Sequence, residues 1–161
     1  MNRHGGRARR RPADRGAAAV EMALVLPLLL FLVFGIVDFG RMLNAQIVLT
    51  EAAREGARAE ALHQSPGTRV TDATPNLKGT ASTVPQCQSS GGDPPLCWAY
   101  QNPTSSPGKC PDPPGADDDA GIQTRYTFTF VTPIYGIAVL FGGNIGGDVK
   151  LTGEGVMPCI A

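Results

Sequence analysis

The chain lacks the residue patterns on which most enzymes and metal sites depend. It has two histidines in 161 residues, no nucleophile motif, and no glycine-rich phosphate loop after a strand-like segment. Its four cysteines have no CxxC spacing and no histidine follows Val70, which argues against a structural zinc site. We therefore predict that the protein is not an enzyme and that it holds no metal or other cofactor.

One acidic run is the remaining candidate for a metal site. Asp117-Asp118-Asp119 offers the carboxylate oxygens that calcium prefers. The run lacks the spaced ligands of a known calcium loop, however, and consecutive acidic residues more often form a solvated turn. We interpret it as a solvated acidic turn.

Charge is unevenly distributed although the formal net charge is zero. Residues 1–16 carry six arginines and one aspartate, a net charge of +5, so residues 17–161 carry −5. Positive residues beside a membrane span stay in the cytoplasm, so we expect the N-terminus inside and the rest of the chain outside, with His4 and His63 on opposite sides. Nucleic-acid binding is the alternative, but the arm adjoins an apolar segment and lacks interleaved aromatic residues, so we predict no nucleic-acid partner.

A long apolar segment follows the basic arm. Gly16 to Val37 is 22 residues, about 33 Å as a helix, which is enough to cross a bilayer. A cleaved secretory signal is the alternative, but its apolar core is shorter, about 7 to 15 residues, and here the helical pattern continues past the weak candidate site at Ala45. The sequence predicts a single membrane helix over residues 17–37.

Three charged residues lie in or beside this segment. Glu21 is inside it, five residues past Gly16. A carboxylate at membrane depth is costly alone and less costly beside an ammonium group. The alternative is that Glu21, about 6 Å along the helix from Ala17, extends to the lipid headgroups. Asp38 and Arg41 are expected to mark the outer interface and to pair there.

The helical pattern continues through residues 38–62. A narrow stripe of mostly small residues recurs there at helical spacing, formed by Leu49, Ala52, Gly56 and Ala59. Small side chains permit close approach of another helix. Two interpretations stay open: the stripe covers the core of a domain, or it packs against a helix of another subunit.

The composition changes after residue 62. Residues 63–84 are polar and predict at most one or two short strands. Residues 85–121 contain eight prolines and five glycines among 37 residues, so we expect a long loop without a regular core element. We expect a covalent cross-link to hold this loop in place, because ordering a long loop costs chain entropy.

The last forty residues predict a sheet. Residues 125–132 alternate in polarity, and residues 148–153 form a second strand antiparallel to the first. Residues 134–141 are an apolar run too short to span a bilayer, so we interpret them as a buried turn of helix or a loop. One face of the first strand should pack on a helix, and its aromatic residues are Tyr126, Phe128 and Phe130.

These segments together predict an α+β fold. A long N-terminal helix comes first, and a small antiparallel sheet domain with a disulfide-stapled loop follows. The predicted regions are a cytoplasmic basic leader, a transmembrane helix, an extracytoplasmic helix continuation and a small β-rich extracytoplasmic domain. Their bounds are 1–16, 17–37, 38–62 and 63–161.

The four cysteines can staple the loop. Cys87, Cys97, Cys110 and Cys159 are even in number, and the predicted topology places all of them outside the cytoplasm, where disulfides persist. Three pairings are possible, and the sequence does not choose between them. We favour Cys87 with Cys97 and Cys110 with Cys159.

Residues 15–62 resemble a known family. A basic leader ends in glycine, a glutamate is the fifth residue after that glycine, and an apolar helix continues into a second helical stretch. This layout resembles type IV pilins and pseudopilins and, more narrowly, the TadE-like proteins of tight-adherence (Flp) pilus systems. The motifs that carry the resemblance are Gly16-Ala17-Ala18-Ala19-Val20-Glu21-Met22-Ala23-Leu24-Val25-Leu26-Pro27, Asp38-Phe39-Gly40-Arg41 and Ala52-Ala53-Arg54-Glu55-Gly56-Ala57-Arg58.

The resemblance implies a processed membrane protein. In related prepilins a membrane peptidase cuts after the glycine on the cytoplasmic side, which corresponds here to the bond between Gly16 and Ala17. Glu21 would become residue five of the mature chain and could pair with the freed amine of a neighbouring subunit. The implied partners are the lipid bilayer, a prepilin peptidase, other pilins or pseudopilins and the membrane platform of the pilus.

The resemblance also implies a role in building a pilus. Fibre-forming Flp pilins are much shorter, and Met22 stands where they often have an aromatic residue, so a minor pseudopilin or assembly factor fits better than a major fibre subunit. The implied location is the cytoplasmic membrane, with the C-terminal domain outside, in association with the pilus or cell surface. Two alternatives stay open: an uncleaved single-pass anchor that presents an adhesin-like or scaffold domain, and a secreted effector or enzyme released by signal cleavage.

Overall fold

The computed structural model describes two helices and three strands. The described residues are 12–88, 94–102, 105–131, 142 and 148–160, with side chains of the first helix from residue 16 onward. The elements in chain order are α1 (Pro12–Ala61), α2 (Pro66–Ala73), β1 (Leu96–Tyr100), β2 (Asp119–Thr129) and β3 (Asp148–Pro158). The predicted α+β class, with a long apolar helix before a small antiparallel sheet, is confirmed.

The chain divides into two compact units, which we call the N-terminal unit (Met1–Val37) and the C-terminal unit (Asp38–Ala161). In the N-terminal unit, the large apolar side chains of α1 are exposed, for example Leu24 at 75% and Leu28 at 71%. The most apolar window of α1 has a mean hydropathy of 2.7. By length and composition, α1 is therefore able to cross a membrane, and its exposed apolar surface suits contact with lipid.

The C-terminal unit contains a three-stranded sheet in the order β1-β2-β3, and both strand pairs are antiparallel. Because side chains alternate between the two faces of a strand, Ile122, Thr124, Tyr126 and Phe128 of β2 share one face. Ile122, Thr124 and Phe128 are buried, and Tyr126 packs against the core. The prediction that the β2 aromatic face packs on a helix is confirmed for Phe128, because the Arg41 guanidinium of α1 lies over its ring.

The sheet packs on the part of α1 that follows Val37. Leu49, the largest fully buried side chain there, is 0% exposed, and its carbonyl oxygen accepts a hydrogen bond of 3.0 Å from the Thr124 hydroxyl. The Gln46 side-chain amide donates to the carbonyl oxygen of Thr152 on β3 at 2.7 Å. These bonds join the helix to the two longer strands of the sheet.

Two glycines of β3 allow this close packing. A Cβ atom at Gly153 would overlap the main chain of Leu49, and one at Gly155 would lie 2.5 Å from the carbonyl carbon of Ala53. Gly56 of α1 is also closely packed, but against side chains: an added Cβ atom would lie 2.9 Å from Val70 Cγ2 of α2 and 3.1 Å from Ile122 Cγ2 of β2. The small-residue stripe of α1 therefore covers the core of its own domain, as the first of our two interpretations had it.

Two expectations about the middle of the chain are wrong. Residues 63–84 contain no strand but include an eight-residue helix that the sequence did not predict, α2 (Pro66–Ala73). It begins there because Ser65 is extended and Pro66 occupies the first turn, where a missing N–H costs nothing. Residues 85–121 are not free of regular core structure, since β1 lies inside them with Leu96 and Cys97 buried. The prolines and glycines of that segment lie outside the five residues of β1.

The strands near the C-terminus are longer than predicted. β2 runs from Asp119 to Thr129 rather than over residues 125–132. β3 continues to Pro158 rather than ending at residue 153. Their antiparallel pairing is as predicted. The apolar run 134–141 lies outside the described residues.

Candidate functional site

The predicted processing segment lies within α1. Gly16 and Ala17 are helical residues, and a Cβ atom added at Gly16 would meet nothing within 4 Å. Glu21 is exposed. Ala17 and Glu21 are four residues apart, so they lie on the same face of the helix, about 6 Å apart along its axis. Whether the Gly16–Ala17 bond is cut stays a prediction.

The chemistry of Glu21 depends on the state of residue 17. In the intact chain the nitrogen of Ala17 is an uncharged amide, which offers no ion pair to a carboxylate. A cut before Ala17 would convert this nitrogen into an ammonium group and would make it the start of the helix. A negative charge near the N-terminus of a helix is favourable, so Glu21 would then gain two sources of stabilisation.

The charged pair at the start of the C-terminal unit forms as predicted. Arg41 Nη1 lies 3.3 Å from Asp38 Oδ1, with Asp38 only 2% exposed. The Arg41 guanidinium also lies over the ring of Phe128, 5.4 Å from its centroid. The pair therefore connects α1 to β2, a role that we read as structural.

A second carboxylate, Glu60, was not predicted from the sequence. It is 5% exposed, near the C-terminal end of α1. The Tyr100 hydroxyl donates to its Oε2 atom at 2.9 Å, and the Cys110 backbone N–H donates to its Oε1 atom at 3.3 Å. Glu60 thus links α1, β1 and the loop that carries a disulfide. One signal was available: Glu60 follows Gly56 by four residues and so extends the buried face of α1.

Both disulfides of the favoured pairing are present. Cys87 pairs with Cys97, ten residues away, and Cys110 pairs with Cys159, 49 residues away. The first closes a short loop onto β1, and the second ties the proline-rich segment to the end of β3. Cys110 therefore fixes its loop in two ways: through the disulfide to Cys159 and through the hydrogen bond that its backbone N–H donates to Glu60.

An open cleft of about 890 Å³ adjoins Glu60. We call it the Glu60 cleft. Aromatic rings form part of its lining, and the Trp98 and Tyr100 rings meet edge to face with centroids 5.5 Å apart. Its titratable lining residues are Glu60, His63, Tyr100, Lys109, Asp112 and Asp118.

Burial raises the pKa of Tyr100 well above its ordinary value of 10.0, and the hydrogen bond to Glu60 and the charge of that carboxylate act in the same direction. The folded state therefore favours the neutral phenol. The stability that this provides is complete below the unfolded pKa and is lost as the pH rises above it, toward the folded value.

We expect this loss to depend on the Tyr100 hydroxyl. The stability advantage of the wild type over Tyr100→Phe should be constant near neutral pH and should shrink above pH 10.0, where the unfolded phenol ionises. Urea midpoints of the two proteins measured across this range check the prediction. An advantage that does not change with pH would contradict it.

The acidic run at residues 117–119 is used in local structure. The Asp118 carboxylate accepts a 2.7 Å hydrogen bond from the Gly115 N–H, and Asp119 is the first residue of β2. Within the described residues, no three His, Cys, Asp or Glu side chains are grouped so as to hold a metal ion.

These features define the chain as a small disulfide-bonded α+β protein with a helix able to span a membrane. It has an apolar N-terminal helix able to span a membrane, with a carboxylate inside the apolar stretch, and the same helix continues into a small disulfide-bonded α+β unit.

The comparisons with known proteins place the chain more closely. The model of the family described as TadE-like protein matches residues 16–58, which is 43 of the 161 residues. The match confirms, over residues 16–58, the resemblance to TadE-like proteins that was predicted from the sequence. The comparisons found no match among curated proteins and none among solved structures.

Proposed function

We propose that the protein is a non-enzymatic minor pseudopilin or assembly factor of a Tad/Flp-type pilus. It is inserted with its N-terminus in the cytoplasm, and a prepilin peptidase cuts it between Gly16 and Ala17. The observation that carries the proposal is the placement of Glu21, an exposed carboxylate in the apolar stretch of α1, within the TadE-like segment. The charge asymmetry around residues 1–16 supports the orientation.

The proposed mechanism is an ion pair between subunits. Cleavage creates an ammonium group at Ala17, and the Glu21 carboxylate of a neighbouring subunit pairs with it inside the membrane. Each charge is costly at membrane depth alone, so the pair would favour lateral association over isolated subunits. The partners would be other pilins or pseudopilins and the membrane platform of the pilus.

The mass of the mature protein tests the processing step. In a host that has the peptidase, we expect the wild type to lose residues 1–16 and to begin at Ala17. Gly16→Leu should keep its full mass, because a bulky side chain then replaces the glycine after which related prepilins are cut. Gly35→Leu is the matched control, since Gly35 lies on the same helix and also has open space around it; it should be cut like the wild type.

The other outcomes identify the alternatives. A full-length wild-type mass would support the uncleaved anchor that presents an adhesin-like or scaffold domain. A mature chain that begins near Gln46 would support a secreted product. Processing of Gly16→Leu to the wild-type mass would overturn the proposal.

A further inference from the structure

The Glu60 cleft contains a buried negative charge without a positive partner. Glu60 is 5% exposed, and its two hydrogen-bond donors, the Tyr100 hydroxyl and the Cys110 amide, are neutral. Over the ranges that the structure describes, no arginine, lysine or histidine forms an ion pair with Glu60. A carboxylate withdrawn from water is costly, and neutral donors offset that cost less well than a cation does.

The walls of the cleft suit a cation. Trp98 and Tyr100 line it beside Glu60, and a cation within about 6 Å of an aromatic ring is attracted by the electron density of the ring face. The lining carries three carboxylates, those of Glu60, Asp112 and Asp118, against the single lysine Lys109, a net charge of −2 with histidine neutral. The cleft therefore attracts positive groups from solution.

The hydrogen bonds to Glu60 leave room for a further donor. Each of its oxygens accepts one hydrogen bond from the described residues, and a carboxylate oxygen has two lone pairs. A guanidinium can donate to both oxygens of a carboxylate at once, whereas an ammonium is a point charge. The arrangement therefore favours arginine over lysine.

We propose that the Glu60 cleft binds an arginine side chain from a segment of another polypeptide, with the guanidinium against Glu60 and beside Trp98 and Tyr100. The cleft is open and partly polar, which suits a side chain on an extended segment better than an enclosed small molecule. This interaction does not depend on processing at Gly16, so it stands or falls independently of the proposed function.

The single tryptophan of the chain lines this cleft, so a ligand beside it should change its fluorescence. Trp98 also lines a second cavity, next to Thr71 and Val84, so the cleft variants below assign the change to the Glu60 cleft. The full-length protein in detergent, with both disulfides intact, is titrated with the peptide acetyl-Gly-Arg-Gly-amide. We expect a saturable change in Trp98 emission. The same peptide with citrulline, a neutral analogue of arginine, should bind at least about tenfold more weakly, and the lysine peptide should fall between the two.

Two variants test the residues involved. Glu60→Gln keeps the side-chain shape and should weaken binding of the arginine peptide by about tenfold. Lys109→Gln removes the competing positive charge from the exposed rim and should strengthen binding by about twofold. Lys150→Gln is the matched control, because Lys150 is exposed on β3 and does not line the cleft; it should leave binding unchanged.

If Glu60→Gln fails to fold, Lys109→Gln still tests the proposal, because the proposal predicts tighter binding for this variant. The proposal is overturned if the wild type shows no saturable change, if a folded Glu60→Gln protein binds as tightly as the wild type, or if Lys109→Gln does not strengthen binding. A titration with spermidine tests whether the cleft instead binds polyamines. If spermidine binds as tightly as the arginine peptide, the cleft is a polyamine site and the assignment to a polypeptide is overturned.

Discussion

Gly153→Val should destabilise the C-terminal unit by about 3 kcal/mol, or prevent it from folding. Gly153 of β3 lies against the main chain of α1 at Leu49, where even a single Cβ atom has no space. A backbone cannot move aside as the end of a flexible side chain can. The helix and the sheet would have to separate, and the Thr124 and Gln46 hydrogen bonds between them would weaken.

Urea unfolding followed by Trp98 fluorescence measures this effect. Thr152→Val is the matched control, because Thr152 is the preceding residue of β3 and its side chain is exposed. We expect its unfolding midpoint to stay near that of the wild type. An unchanged midpoint for Gly153→Val would show that the close contact between α1 and β3 does not exist in solution.

Removal of the Cys110–Cys159 disulfide should cost more stability than removal of Cys87–Cys97. Cys110 and Cys159 are 49 residues apart in sequence, and Cys87 and Cys97 are 10 residues apart. The chain-entropy model relates the stabilisation by a disulfide to the length of the loop that it closes. It predicts a loss of about 4 kcal/mol for the first and about 3 kcal/mol for the second. The longer bridge also fixes the loop whose Cys110 amide donates to Glu60.

The double variants Cys110→Ser/Cys159→Ser and Cys87→Ser/Cys97→Ser provide the comparison, since each is the control for the other. Urea midpoints under non-reducing conditions measure both losses. The yield of folded protein should fall in the same order. A larger loss for the Cys87/Cys97 variant would mean that local packing around β1, rather than loop closure, decides the contribution of these bridges.

The parts of the fold that could be predicted from the sequence are those with a regular pattern. The apolar segment and the helical stripe through Leu49 and Gly56 predicted α1, and the alternation around Phe128 predicted the face of β2 that packs on it. Each of these elements buries one face, and burial of one face gives the apolar residues of a helix or strand a regular spacing in the sequence.

The missed elements have physical reasons of their own. β1 is only five residues long, and the prolines and glycines on either side dominate the composition of its segment. α2 has eight residues, too few for a clear helical period, and its start depends on Pro66. Both elements are stabilised by contacts with distant residues, as Val70 and Leu96 show in the same core cluster.

The candidate sites divide in a similar way. Glu21 was identified because a charge contrasts with its apolar neighbours along the chain. Glu60 has charged neighbours in sequence, so it became distinctive only when the fold placed Tyr100 and Cys110 against it. The one signal in the sequence is its position four residues after Gly56, on the small-residue face of α1.

Helix α1 belongs to both units of the protein, and this limits where the chain can be cut to make a fragment for experiments. The same helix supplies the apolar stretch and, after Val37, the buried residues Leu49 and Ala53 on which the sheet packs. A fragment that begins after this helix would keep α2 and all three strands but would expose the surface that packs on α1, including the side chain of Ile122. Crystallisation of the C-terminal unit should therefore use a fragment that starts at Asp38, where that unit begins.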